Sequence, residues 1–138
     1  MSALKAAAAA LSLAALAAPA FAQAPKALAP KEAPAAPIIA TIDLGKENPA
    51  LAGFTFTQSV ATIQPGTGRA WHSHKGAPEI VRIISGVLTE QRNDGPPKQY
   101  GPGSELINNT GVEHMWANLG TEPVVFVNTN VRPPAPAK

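Results

Sequence analysis

The chain has 138 residues, a formal net charge of +2, 14% charged residues and no cysteine. The absence of cysteine excludes disulfides, a thiolate nucleophile and a sulfur metal site. The small, dispersed charge offers no basis for electrostatic binding to nucleic acid or to an anionic membrane.

In chain order, Met1–Lys5 is a short positive start, Ala6–Ala18 an apolar run and Ala20-Phe21-Ala22 a small-residue cleavage site. This pattern predicts a signal peptide over residues 1–22, cleaved after Ala22, and hence a periplasmic or secreted protein. The apolar run is shorter than the ~20 residues needed to span a bilayer, so no membrane association is expected after cleavage. Residues 23–37 are mostly alanine and proline and read as a disordered, extended spacer.

The remaining chain, 38–132, reads as one domain of short strands, followed by a proline-rich tail, 133–138. Ile38–Ile42 is a candidate strand and Asp43–Pro49 a loop. Gly53–Ile63 is a longer strand, with Phe54, Phe56 and Val60 on one face and mainly Thr and Ser on the other. Gly66-Thr67-Gly68 lacks the strand-to-helix context of a nucleotide-binding loop. Val87–Gln91, Lys98–Tyr100, Ser104–Ile107, Val112–Asn118 and Val124–Val131 are further strands. Asn93-Asp94-Gly95 marks a hairpin. Asn108-Asn109-Thr110 has the form of a glycosylation sequon but reads here as turn chemistry. No amphipathic helix is evident after residue 22. The expected class is therefore all-β, an antiparallel sandwich or barrel.

All three histidines fall in two segments. His72 and His74 are two apart, so on a strand both imidazoles point the same way. A turn through Gly76 and Pro78 then leads into the β-branched segment Glu79–Ser85, which brings the Glu79 carboxylate near the two rings. Two nitrogens and an oxygen form half of a transition-metal site. His114 stands alone in its segment, where a lone histidine is as readily a core or surface residue. With His72 and His74 facing inward, Ala70 faces inward too and Trp71 and Ser73 outward; on the next strand Glu79, Val81 and Ile83 face inward. Ile80, Arg82 and Ile84 then lie on the outer side and need a cover. The N-terminal strands or a second subunit could supply it. Arg69, Arg82 and Arg92 could bind an acidic substrate, but each reads first as a solvated surface charge.

These two segments resemble the two signatures of the cupin superfamily. Gly66, His72, His74, Glu79 and Gly86 fit the first: glycine, five residues, His-x-His, three or four residues, glutamate, six residues, glycine. Gly103, Gly111, His114 and Asn118 fit the second, with Asn109 standing where a proline is usual. The resemblance implies a small jelly-roll β-barrel that holds one divalent transition metal on His72, His74, Glu79 and His114. Three neutral imidazoles and one carboxylate suit Mn, Fe, Co, Ni, Cu or Zn. If His114 faces the metal, Trp116 and Asn118 share its face, while Glu113 and Met115 point away. The resemblance further implies a homodimer and a small-molecule substrate or ligand. Metal-dependent oxidoreductase chemistry of the oxygenase kind is the leading expectation. The alternative is a non-catalytic periplasmic module that binds a metal or a small ligand.

Overall fold

The computed structural model describes residues 30–93 and 95–134. The expected signal peptide, residues 1–22, lies outside them, as do 23–29 of the spacer and 135–138 of the tail. Ten strands follow in order: β1 (Lys31–Glu32), β2 (Ile38–Asp43), β3 (Thr55–Ile63), β4 (Thr67–Ser73), β5 (Glu79–Ser85), β6 (Leu88–Arg92), β7 (Lys98–Tyr100), β8 (Glu105–Asn108), β9 (Glu113–Ala117) and β10 (Val124–Arg132). They build two five-stranded sheets, ordered β1-β4-β9-β6-β7 and β2-β3-β10-β5-β8. The result is an all-β jelly roll. Its pairings are antiparallel except for β1, which runs parallel to β4. The expected loop after β2 contains one helical turn, α1 (Leu44–Glu47), and a 3-10 turn, Pro49–Leu51. Asp43 and Asn48 cap them by accepting from the Gly45 and Ala50 N–H groups, which would otherwise be orphaned.

The core lies between the sheets and includes Ile63, Val81, Ile83, Leu88, Leu106, Val124 and Phe126. Trp116 meets Phe126 edge to face, with centroids 5.4 Å apart, an arrangement the ring quadrupoles favour. On β5 the alternation is as expected: Glu79, Val81 and Ile83 are buried, while Ile80, Arg82 and Ile84 are exposed. On β3 the inward face is Thr57, Ser59, Ala61 and Ile63, and Phe56 faces out. The inward Thr57 is tolerated because a cross-strand partner satisfies it: it donates to Asn130 Oδ1 on β10 at 2.5 Å.

The described part of the expected spacer is ordered structure. Lys31 and Glu32 pair with Thr67 and Gly68. The Ala33 N–H donates to Gly68 O at 2.7 Å, and Ala33 is only 3% exposed, inside the core. A composition too poor to form a core of its own still contributes a small residue to a core built by other strands. Gly68 makes this possible. A Cβ there would lie 2.1 Å from Trp116 O on one side and 2.9 Å from Pro30 Cβ on the other. The second glycine of the Gly-x-Gly is therefore a point of close approach.

Candidate metal centre

His72 lies near the end of β4, opposite His114 of β9. His74 follows in the turn, where its N–H donates to Val112 O. Cross-strand pairing thus joins two segments forty residues apart. His114 Nε2 lies 2.8 Å from His74 Nε2 and 3.0 Å from His72 Nε2. The three ligand atoms all fall within 4.8 Å of one another.

The outer nitrogens show why this cluster is more than a stack of rings. His72 Nδ1 lies 2.8 Å from Ala70 O, His74 Nδ1 3.1 Å from Ala77 O, and His114 Nδ1 2.5 Å from Glu90 Oε1. A carbonyl or ionised carboxylate only accepts, so each Nδ1 must carry the hydrogen and donate. In the neutral rings every Nε2 then presents a bare lone pair. Lone pairs facing one another at about 3 Å repel unless a cation lies between them. Metal–imidazole bonds of about 2.0–2.1 Å place neighbouring ligand nitrogens about 3 Å apart, which matches both short separations. Anchoring the second ring nitrogen on an acceptor is the arrangement that fixes the tautomer of a ligating histidine.

His72 stands at the half-buried mouth. Burial, followed by the neighbouring His114 and His74 rings, lowers its pKa, even though the bond to Ala70 O and the Glu79 charge oppose this. The ring is thereby kept neutral and its lone pair available. Glu79 borders the cluster, with Oε1 3.3 Å from His74 Nε2. Its two oxygens accept from Asn108 Nδ2 and Asn128 Nδ2, each at 2.8 Å. The carboxylate is held in place with lone pairs to spare.

Behind His114 lies a network that sequence reading missed. Glu90 is 2% exposed. Burial alone would raise its pKa, but the His114 hydrogen bond and Arg92 together hold it below the usual carboxylate value. Arg92 Nη2 donates to Glu90 at 3.0 Å and to Asn108 Oδ1 at 2.7 Å. One guanidinium thus braces the partner of His114 and, through Asn108, the partner of Glu79. Arg92 is therefore a bracing residue and not a free surface charge. Asn108, the sequon asparagine, is fully buried in this network. Asn118 does not face the cluster. Its Nδ2 donates to Ile63 O and Glu122 O, and its Oδ1 accepts from the Gly120 N–H. It latches the loop after β9 because β9 ends at Ala117 and strand alternation stops there.

His72, His74, Glu79 and Trp116 line a cavity of about 420 Å³. Its other walls are mainly apolar or aromatic, apart from Glu32, Arg69 and Asn128. The sequence model for the cupin domain matches residues 59–130. No curated protein sequence matches the chain. Among solved structures, the chain resembles the cupin domain of Schizosaccharomyces pombe Cnp3, with 19% identity and a TM-score of 0.51. That match covers 54% of this chain and 51% of the other, so the chain spans about half of that protein. It also resembles an uncharacterised conserved protein with a double-stranded β-helix domain from Klebsiella pneumoniae, with 21% identity, a TM-score of 0.56, and coverage of 77% and 81%. TT1209 from Thermus thermophilus shares 16% identity with a TM-score of 0.52, covering 57% of this chain and 74% of that one. At these identities the likeness extends to the fold.

Proposed function

Because the chain belongs to the cupin family, we propose that it is an exported, metal-dependent oxidoreductase of the oxygenase kind, acting on a small organic molecule in the cavity over His72. The observation that supports this most directly is the set of three imidazoles with Nδ1 anchored and Nε2 bare. His72, His74 and His114 would hold a divalent transition ion, with Glu79 as the fourth ligand. Such an ion supplies Lewis-acid and redox chemistry at its remaining open positions. The protein's own contribution is to fix the ligands, to exclude water with Val81, Trp116 and Phe126, and to orient the substrate against them.

The test is dioxygen uptake by Fe(II)-loaded protein over a panel of small phenols and organic acids. Turnover that disappears in His72→Ala supports the proposal. Stoichiometric binding of the ion and of a panel compound without turnover would replace it with the second reading, a non-catalytic binding module. One observation favours that reading: beyond the ligand set and the Glu32–Arg69 pair, the described cavity walls carry no nucleophile or acid–base group.

Two parts of the proposal concern the whole protein. The outer face of the β2-β3-β10-β5-β8 sheet exposes Ile42, Phe56, Ile80 (51%) and Ile107 (60%). Neither N-terminal strand covers it, because β2 joins its edge and β1 joins the other sheet. A second copy placed on this face makes a homodimer, and a monomer mass in light scattering at micromolar concentration would refute that. Export rests on residues 1–22. The expected mature N-terminus is Gln23, and one at Met1 refutes it.

A further inference from the structure

Between Arg69 and His72 the pairing of β4 with β9 slips. Arg69 faces Trp116 and His72 faces His114, so β4 spends one residue more than β9 over this interval. Such a bulge breaks the two-residue alternation and re-aims side chains. A regular strand would place Arg69 and Trp71 on the face opposite His72. Here Arg69, Ala70, Trp71 and His72 all line the cavity. Histidines aside, Arg69 is the one cationic side chain among the described residues of its wall.

That cation already holds a carboxylate. Glu32 of β1 accepts from Arg69 Nη1 through Oε1 at 2.6 Å, and its Oε2 accepts from the Ala70 N–H at 3.3 Å. A guanidinium and a backbone N–H together bind one carboxylate at the cavity mouth. Both side chains are well solvated, 35% and 54% exposed, so the pair is weak and exchangeable. Beside it Trp71 presents a half-exposed indole, and Val81 and Phe126 lie deeper in the same cavity.

We infer that this cavity takes a small organic anion with an apolar or aromatic body, its carboxylate bound to Arg69 in place of Glu32. Arg69 is then the residue that selects for charge, Trp71 supplies a face for the body, and Glu32 is the internal competitor that fills the site when no ligand is present. This deepens the metal-cavity reading and rests on the same cavity. It does not require that a metal be bound.

The chain has two tryptophans, Trp71 and Trp116, and both line this cavity, so intrinsic fluorescence reports on it selectively. Benzoate serves as the probe and benzamide as its neutral isostere, titrated into the full protein with metal content measured on the same samples. Wild type is expected to bind benzoate at least fivefold tighter than benzamide. Arg69→Met should erase that preference. Glu32→Gln should tighten benzoate about fivefold, the order of one exposed ion pair, and leave benzamide unchanged. The glutamine retains an oxygen for the Ala70 N–H, so this variant keeps β1 in place and decides the matter even if Arg69→Met folds poorly. Equal binding of the two probes to wild type, a preference that survives Arg69→Met, or no gain in Glu32→Gln overturns the inference. Metal-bearing protein without the charge preference defeats this inference alone. Metal-free protein with the preference defeats the metal reading alone.

Discussion

His114→Ala is expected to release the metal. Wild-type protein, purified without chelators or a histidine tag, should carry about one transition ion per chain, and the variant almost none. Metal sites of four ligands bind with roughly 10–16 kcal/mol. Each ligand is therefore worth about 3 kcal/mol, on the order of a hundredfold in affinity. His114 should exceed that share, because its Nε2 is the atom within 3.0 Å of both other imidazoles. It is also fully buried, so its removal leaves Glu90 without its imidazole partner and costs stability as well. His72→Ala separates the two effects. His72 stands at the half-buried mouth with only Ala70 O on its Nδ1, so that variant should lose the ion while keeping nearly the wild-type urea midpoint. Full occupancy in both variants would show that the cluster is a packing arrangement.

The second large effect is expected at Glu90, which meets the cluster only through the outer nitrogen of His114. Glu90→Gln should lower metal affinity between tenfold and a hundredfold, the usual range for a partner of a ligating histidine. The amide keeps an oxygen near His114 Nδ1 but loses the charge that favours an Nδ1-protonated ring. It can also present N–H and force the wrong tautomer. Glu90→Ala should be worse for the fold, at about 3 kcal/mol. That is the lower end for breaking a buried pair, because Arg92 is a third exposed and retains Asn108 Oδ1. Competition with a chromophoric chelator measures the first effect and urea unfolding the second. Wild-type affinity in Glu90→Gln would confine Glu90 to a structural role.

Spacing within a strand and its turn points to His72, His74 and Glu79, whereas His114 enters only through the resemblance to the second cupin signature, because a lone histidine carries no local signal. Glu90, Arg92 and Asn108 could be found by neither route. Their role arises from register: Arg92 faces His114 and Glu79 faces Asn108 across strands far apart in sequence, and no local pattern in one chain encodes that pairing. Periodicity correctly separated the faces of β5. On β3 the more apolar-looking face turned outward, and the inward Thr57 finds a cross-strand partner in Asn130 of β10. The bulge in β4 was invisible for a related reason: an extra residue shows only against its partner strand. β1 was missed because two residues flanked by alanine and proline carry no strand signal, and their order comes from Gly68 and the core beneath Ala33.

The place of β10 has a consequence for how the molecule forms. β10, the last of the described strands, lies at the centre of its sheet, hydrogen-bonded to β3 along one edge and to β5 along the other. Val124 pairs with Ile63 and Arg132 with Thr55, closing loops of some sixty to eighty residues, so β3 and β5 gain their shared neighbour only once residues 124–132 have been made. Large loops cost closure entropy before any contact offsets it, and folding dominated by such pairings is slow. The histidine cluster belongs to the other sheet, where β4 pairs with β9, and Glu79 joins it from β5, one of the two strands that flank β10.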